Sequence, residues 1–490
     1  MRLRLLFASL MVCAAVASAA PAIERRGVRN AASEAPPGLP GGALAPGMRV
    51  VIRGIDLEGV TRLFIEARGG RRSAPVERSE PRQAWAVLPF DVPLGQVRLA
   101  VERGPERSAW VNARVLPSSP GLFLPDKPIA VRRGEFVTLR VTGLGVRRGE
   151  VRVYVGGVAA EGAPENEGDA LTFTVPAGAP TGCAVPVQVQ LAGGPVSNAV
   201  AIEIEGGAAC EEAEQFGRWL STGGRSGLLL PFTLAARLEI DGTLGVSRGE
   251  GVAAAFVEGS RREGAAIPAA GTCMVYAGDI AAAAPEQQLR SLLTGSSREL
   301  DAGRVWARSG ERRADLPRDD AGLHYRAAGG AMPDAHEVER PPFFDGHAVT
   351  LHGEGGRDVG AFRKTVALPD PVQWTGREAL EEVDRTRPLH LRWRGATGQP
   401  VFVGGIVLDR VTRAGGGFLC LAPAAAAEFI VPPHVLSFLP QAEGKMERSA
   451  GVLLLATVPE GAAAIHQDVE GLNGLLAVGA FVDARSVRFR

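Results

Sequence analysis

The 490-residue sequence predicts an all-β protein made of antiparallel β-sandwiches. Two observations lead to this prediction: apolar and polar residues alternate along many short segments, and the chain contains 63 Gly and 35 Pro. Alternation with a period of two buries one face of a strand and leaves the other in water, as in antiparallel sheets. Gly and Pro supply the turns between such strands. The length corresponds to about three domains.

The charge of the chain is balanced, with 54 basic and 54 acidic side chains. Proteins that bind nucleic acids or anionic membranes in a general way need an excess of Lys and Arg. The composition therefore argues against both kinds of partner.

Residues 1–19 have the pattern of a secretory signal peptide. Arg2 and Arg4 precede the apolar run Leu5–Ala17, and an Ala-Ser-Ala motif offers a cleavage site before Ala20. The apolar run is too short to span a bilayer, and no later run is long enough to do so. We expect an extracytoplasmic protein, in the periplasm, on the cell surface or in the medium, whose mature chain has no transmembrane span.

Residues 20–46 show little periodicity and contain the run Ala-Pro-Pro-Gly-Leu-Pro-Gly-Gly. Such a composition does not bury a regular face, so it predicts a flexible leader. The alternating pattern begins near Met48.

Two modules follow the leader, at residues 47–117 and 118–207. Along Gln96–Glu102, valine and leucine alternate with polar residues, which predicts a strand with one buried face. The same alternation occurs in Phe136–Val141, Val151–Val155, Leu171–Val175, Val185–Leu191 and Val200–Ile204.

The two modules share a sequence repeat. The motif Pro-x-x-x-Pro-x-Gly occurs at residues 89–95 and again at 176–182, an offset of 87 residues. In each copy a run with alternating apolar residues follows the Gly. Proline fixes φ and Gly allows the turn into the next strand, so each motif predicts a structured strand entry.

The second module contains a group of characteristic motifs, which are Ser119–Phe123, Arg133–Leu139, Thr142–Gly145, Val155–Gly157 and Gly182–Val187. With these motifs it resembles a C-terminal module of exported proteins of Solibacter-type acidobacteria, and residues 48–207 together resemble two IPT/TIG-type Ig-like domains. The first copy is more degenerate. The resemblance implies tandem Ig-like β-sandwiches and an extracytoplasmic location, and it implies no catalytic residues.

Residues 208–227 are predicted to connect the modules to a larger β-rich region, because Phe216 and Leu220 are spaced for a short helix that a Gly pair would end. Residues 228–490 again contain many apolar segments typical of strands. This region is one domain or two, and a division near residue 371 is the alternative.

Four cysteines remain after the signal peptide: Cys183, Cys210, Cys273 and Cys420. An even number in an exported chain favours disulfides, and four cysteines allow three pairings. The spacing favours Cys183–Cys210, which closes a short loop, and then Cys273–Cys420. The sequence has no C-x-x-C pair, so zinc binding and thioredoxin-like redox chemistry have little support.

No catalytic, cofactor-binding or metal-binding residue is predicted. The chain lacks a G-x-S-x-G elbow, a P-loop and an EF-hand calcium loop. A set of residues of metal-ligating types lies within nineteen residues, but their spacing matches no known site, and we interpret the histidines as solvated surface residues. The set is His336, Glu337, Asp345, His347, His352 and Glu354.

Two tryptophans are predicted to point outward from strands. Trp110 shares its parity with Asn112 and Arg114, and Trp306 shares its parity with Arg304 and Arg308. Outward tryptophans stack on sugar rings or anchor protein partners, and the alternative is that they pack against a neighbouring domain.

The sequence thus favours an exported, non-enzymatic surface or periplasmic protein that acts in adhesion, display or binding through Ig-like modules. Its partner would be a protein or a polysaccharide at the cell envelope. One alternative is an extracellular polysaccharide-binding protein. The second alternative is a hydrolase with its site in residues 228–490, which would need a deep pocket with convergent carboxylates or histidines.

Overall fold

Within the described residues, the chain is built almost entirely of β-strands, which confirms the predicted fold class: tandem Ig-like sandwiches precede a larger β-rich region. The computed structural model describes residues 20–145, 150–165, 169–191, 193–206, 224–240, 243–259, 267–279, 297–318, 323–331, 341–395, 399–423, 425–443, 449–458 and 464–490.

The first Ig-like module folds around a core of fully buried side chains that include Met48, Ile52, Leu63 and Leu99. Its strands are β1 (Ala22–Asn30), β2 (Arg49–Ile55), β3 (Arg62–Ala67), β4 (Gly70–Ser79), β5 (Gln83–Val87), β6 (Gly95–Arg103), β7 (Glu106–Arg107) and β8 (Val111–Val115). They pair in the order β1-β2-β5-β4-β3-β6-β7, and β8 lies beside β6.

The prediction of a flexible leader at residues 20–46 is wrong, because this segment belongs to the first module. Strand β1 pairs antiparallel with β2, with Val28 opposite Ile52, and Leu44 is buried in the module core. A short 3-10 helix, Pro40–Gly42, lies between β1 and β2. A β-bulge between Ile23 and Val28 interrupts the pairing. A bulge shifts side chains between faces, so the strand lacks the alternation that would have predicted it.

The second Ig-like module buries the apolar positions of its predicted strands, such as Val153, Leu171 and Val187. Its strands are β9 (Gly121–Leu122), β10 (Ala130–Val131), β11 (Phe136–Thr142), β12 (Val151–Val155), β13 (Val158–Glu165), β14 (Ala170–Thr174), β15 (Gly182–Leu191) and β16 (Val200–Ile204). They pair in the order β10-β16-β15-β12-β13-β14-β11-β9.

The sequence repeat forms the same local structure in both modules. The amide of Val92 donates to the carbonyl of Pro89 at 3.2 Å, and the amide of Ala179 donates to that of Pro176 at 3.0 Å. The Gly that ends each motif then begins β6 or β15 with a positive φ, 100° in one and 149° in the other. Only Gly adopts such values readily, which explains its place in both copies.

The C-terminal region contains twenty described strands and a one-turn helix, α1 (Pro433–Leu436). A second 3-10 helix is Arg377–Ala379. The strands are β17 (Arg225–Ile240), β18 (Thr243–Gly259), β19 (Thr272–Asp279), β20 (Ser297–Glu299), β21 (Val305–Ser309), β22 (Arg312–Leu316), β23 (Leu323–Ala331), β24 (Ala348–Gly353), β25 (Phe362–Ala367), β26 (Gln373–Thr375), β27 (Glu382–Val383), β28 (Leu389–Arg394), β29 (Val401–Asp409), β30 (Ala414–Leu421), β31 (Glu428–Val431), β32 (Ser449–Thr457), β33 (Ala464–His466), β34 (Gly474–Ala477), β35 (Ala480–Ser486) and β36 (Arg488–Phe489).

A large sheet unites the C-terminal region. Its main path is β19-β30-β29-β32-β35-β17-β18-β20, and β23, β33 and β34 attach to it. Strand β17 pairs antiparallel with β18 along its whole length and parallel with β34 and β35. Smaller sheets, β22-β21-β24-β25, β26-β28-β31 and β27-β36, complete the region.

Two hydrophobic cores fill this region, one built mainly from its earlier half and one from its later half. The chain leaves the first core and enters the second close to residue 371, where the sequence suggested a division. Val366 belongs to one core and Val372 to the other. The halves are nevertheless interleaved, because Leu475 returns to the core of the earlier half and Met274 belongs to that of the later half. Most of the predicted connector 208–227 lies outside the described residues, and its end, from Arg225, forms part of β17.

Candidate functional site

The predicted disulfide between Cys273 and Cys420 is confirmed. The two residues lie directly opposite each other on β19 and β30, and both are buried in the core of the later half. Cys183 is also disulfide-bonded, and its predicted partner Cys210 lies outside the described residues.

Trp110 directly precedes β8 and is half-buried, with Asn112 exposed on the same side. The guanidinium carbons of Arg71 and Arg98 lie 5.4 and 5.5 Å from its ring centroid, a distance at which a cation is attracted by the ring. The two arginines come from β4 and β6, the strands on either side of β3. The indole therefore points outward as predicted, but arginine side chains cover it.

Glu66 on β3 holds these arginines in place. Its carboxylate accepts hydrogen bonds from Arg71, at 3.2 Å, and from Arg98. These two hydrogen bonds keep the pKa of Glu66 below its ordinary value, so the carboxylate stays ionised near neutral pH. Phe64, two residues earlier on β3, lies under Arg107, whose guanidinium carbon is 4.2 Å from the ring centroid.

We call Phe64, Glu66, Arg71, Arg98 and Trp110 the Trp110 surface. An open depression beside it is also lined by Arg68, Gln96 and Asn112. Of the residues of this surface, the sequence patterns indicated only the tryptophan. Alternation along β3, with Leu63 and Ile65 buried, was the signal that would have placed Phe64 and Glu66 outward.

Trp306 lies in the middle of the four-stranded sheet, on β21, and is also half-buried. The ring of His352 on β24 stacks on it, with centroids 3.7 Å apart and planes at 6°. From β22 on the other side, the guanidinium carbon of Arg313 lies 4.3 Å from the indole centroid. Burial, with the nearby charges of Arg363 and Arg308, lowers the pKa of His352. Trp306 is thus flanked by side chains from both neighbouring strands.

The remaining tryptophans separate into core and surface residues. Trp374 and Trp393 are buried and face each other across β26 and β28. Trp85 on β5 is half-buried under Arg78, whose guanidinium carbon lies 5.0 Å from the ring centroid. Trp85 therefore resembles Trp110 in its exposure and its arginine cover, although the two lie on different strands of the module.

No metal site emerges among the described residues, where no group of three or more His, Cys, Asp or Glu side chains is placed to hold an ion. His347 and Glu354 are exposed, and His352 stacks on Trp306. His336 and Glu337 lie outside the described residues. In the described part of the chain, no helix has the length and apolar character needed to cross a membrane.

Comparison with known proteins gives low structural similarity. No protein-family model matches the chain, and no curated protein matches it. SGBP-B of a Bacteroides ovatus mixed-linkage glucan utilization locus, in complex with a mixed-linkage heptasaccharide, aligns at a TM-score of 0.21 with 12% identity, over 33% of this chain and 45% of that one. This chain thus spans less than half the length of that protein.

Two further structures align over more of the chain. SGBP-B from a complex xyloglucan utilization locus in Bacteroides uniformis has a TM-score of 0.18 and 13% identity, over 71% of this chain and 97% of that one. Sidekick-1 immunoglobulin domains have a TM-score of 0.13 and 10% identity, over 95% of this chain and 99% of that one. Similarity at these scores carries no argument about function.

Proposed function

We propose that the chain is an exported, non-enzymatic surface or periplasmic protein that acts in adhesion, display or binding through its Ig-like modules. The observation that supports this proposal is the Trp110 surface, an aromatic and arginine cluster that faces outward from paired strands of the first module. Tryptophan and arginine dominate the energetics of binding interfaces. The rigid strands present them in a fixed arrangement.

Ion pairs within the chain fix the side chains of the Trp110 surface. Glu66 bonds to both Arg71 and Arg98, so the two guanidinium groups are held over the indole. Side chains that are fixed in advance lose less conformational entropy when they bind. This arrangement supports binding of a partner that contacts the arginines and the indole edge together.

Polysaccharide binding is the second candidate, because two outward tryptophans offer aromatic surfaces. Both indole rings are covered by cationic or imidazole side chains. A sugar ring would stack on Trp110 only after displacing Arg71 or Arg98. It would stack on Trp306 only after displacing His352 or Arg313. The geometry therefore favours a ligand that contacts the arginine groups themselves.

The polysaccharide candidate predicts that the mature, oxidised chain is retained on at least one insoluble polymer in a panel of cellulose, chitin, xylan and peptidoglycan. Trp110→Ala should weaken retention by roughly 30-fold, the effect of losing about 2 kcal/mol at a binding hot spot. Trp85→Ala is the matched control, because it removes a half-buried tryptophan under an arginine elsewhere in the same module. Trp306→Ala tests the second outward tryptophan.

Loss of retention with Trp110→Ala, together with normal retention of Trp85→Ala, would support binding at the Trp110 surface. The polymer that retains the wild type would then identify the ligand class. Loss with Trp306→Ala alone would move the site to the C-terminal region. Equal retention of all three variants would contradict a role for either tryptophan. If no polymer retains the wild type, the polysaccharide candidate fails and a protein partner is the remaining class.

A further inference from the structure

A cleft of about 430 Å³ lies between the first module and the C-terminal region. Strands β1 and β8 and the segment between β1 and β2 form one wall, and Arg385, Asp409, Pro440 and Gln441 contribute from the C-terminal region. Its volume falls within the range of small-ligand sites. The cleft is separate from the Trp110 surface as we have defined it.

The cleft has an excess of positive charge. Arg25, Arg26, Arg114 and Arg385 line it, together with a single carboxylate, that of Asp409. The Asp409 carboxylate is already occupied, because it accepts hydrogen bonds from the amides of residues 411 and 412 and from the hydroxyl of residue 412. Among the described residues, none of the four guanidinium groups forms an ion pair with a carboxylate. The lining therefore carries more positive than negative charge, and the nearby Asp384 carboxylate offsets only part of the charge of Arg385.

Two of the arginines are anchored by main-chain carbonyls. Arg26 Nη2 donates to the carbonyl of Val411 at 3.2 Å, and Arg385 Nη1 donates to that of Leu439 at 2.6 Å. Arg26 Nη1 and Arg385 Nε are buried without a hydrogen-bond partner in the described part of the chain. Burial also lowers the pKa of Arg385. Charged groups in such surroundings cost free energy unless an opposite charge pairs with them.

We propose that this cleft binds a ligand that carries oxyanion groups, held by the arginines of both walls. A guanidinium group presents parallel N–H donors that match the two oxygens of a carboxylate, and it also binds phosphate and sulfate. The oxyanion has two sources, a free small anion or the acidic groups of a polysaccharide. In either case, one ligand contacts the first module and the C-terminal region together.

The test titrates the full mature chain with citrate, phosphate, sulfate, polygalacturonate and neutral dextran by calorimetry at low ionic strength. The variant Arg25→Ala/Arg114→Ala removes two exposed guanidinium groups from the cleft. The control Arg82→Ala/Arg394→Ala removes the same charge from exposed positions outside it. We expect the cleft variant to bind at least tenfold more weakly than the wild type, and the control to bind within twofold.

The anion that binds identifies the source. Binding of polygalacturonate without citrate supports an acidic polysaccharide, and binding of citrate, phosphate or sulfate supports a small anion. The proposal is overturned if dextran alone or no probe binds, or if both double variants lose affinity equally. Trp110→Ala should keep the anion affinity of the wild type. A failure of the cleft proposal can therefore be distinguished from a failure of the proposed binding at the Trp110 surface.

Discussion

Replacing Cys273 and Cys420 together by alanine is expected to destabilise the C-terminal region by up to about 5 kcal/mol. The two cysteines are 147 residues apart, so their disulfide closes a loop over more than half of this region. In the loop-entropy account, a crosslink restricts the unfolded chain more strongly as the closed loop lengthens. The disulfide also joins β19, at the end of the large sheet, to β30.

Thermal unfolding followed by calorimetry measures this effect. For a region of this size, about 5 kcal/mol corresponds to a fall of roughly 10 °C or more in melting temperature. Cys273→Val/Cys420→Val is the matched control, because it removes the covalent bond and keeps an apolar side chain at both buried positions. The melting temperatures of both variants should fall by similar amounts. A lower melting temperature in the alanine variant alone would assign the effect to packing and contradict the loop-entropy argument.

Local patterns in the sequence were sufficient to predict six strands of the two modules: β6 in the first module, and β11, β12, β14, β15 and β16 in the second. Along β6, Val97 and Leu99 are buried while Arg98 is exposed, as the alternation indicates. Strand β1 was missed because its bulge removes the alternation, and the burial of Leu44, in the segment between β1 and β2, depends on packing with the module core. A period-two pattern reports on the faces of one regular strand and contains no information about a strand that changes face.

The candidate sites were predictable only in part, because each is assembled from distant segments. The outward direction of Trp306 follows from the parity of β21. Its stack on His352 depends on the register of β21 against β24, which places the two residues opposite each other. The cleft arginines Arg26 and Arg385 are far apart in the chain, and no local pattern connects them. Such pairings are set by tertiary packing.

Acidification from pH 6.5 to about 4 is expected to destabilise the folded chain through His434 on α1. This imidazole is buried, and its ring stacks on that of Tyr154 from the second module, with centroids 4.0 Å apart and planes at 7°. The Tyr154 hydroxyl donates to Gln190 Oε1 at 3.0 Å, which fixes the phenol ring. Burial lowers the pKa of His434 from 6.5 to about 4.

The sign of the effect follows from proton binding. Above pH 6.5 the imidazole is neutral in both the folded and the unfolded chain, so the full stability is present. As the pH falls from 6.5 towards 4, the unfolded chain takes up a proton that the folded chain does not, and stability is lost. The total loss is about 3 kcal/mol, reached when the folded imidazole also becomes protonated. Carboxyls whose pKa is lowered, such as that of Asp358, contribute losses at lower pH, below their ordinary value of 3.8.

Denaturant unfolding of wild type and His434→Gln at half-unit steps from pH 7 to 4 isolates this group, because the difference between the two proteins removes contributions that they share. We expect this difference to shrink as the pH falls. His390→Gln is the control: His390 is exposed on β28, and its variant should keep the wild-type profile. Parallel profiles for wild type and His434→Gln would contradict the prediction. The stacked pair joins the second module to the C-terminal region, so any opening that separates them and exposes His434 is favoured by the same uptake of a proton.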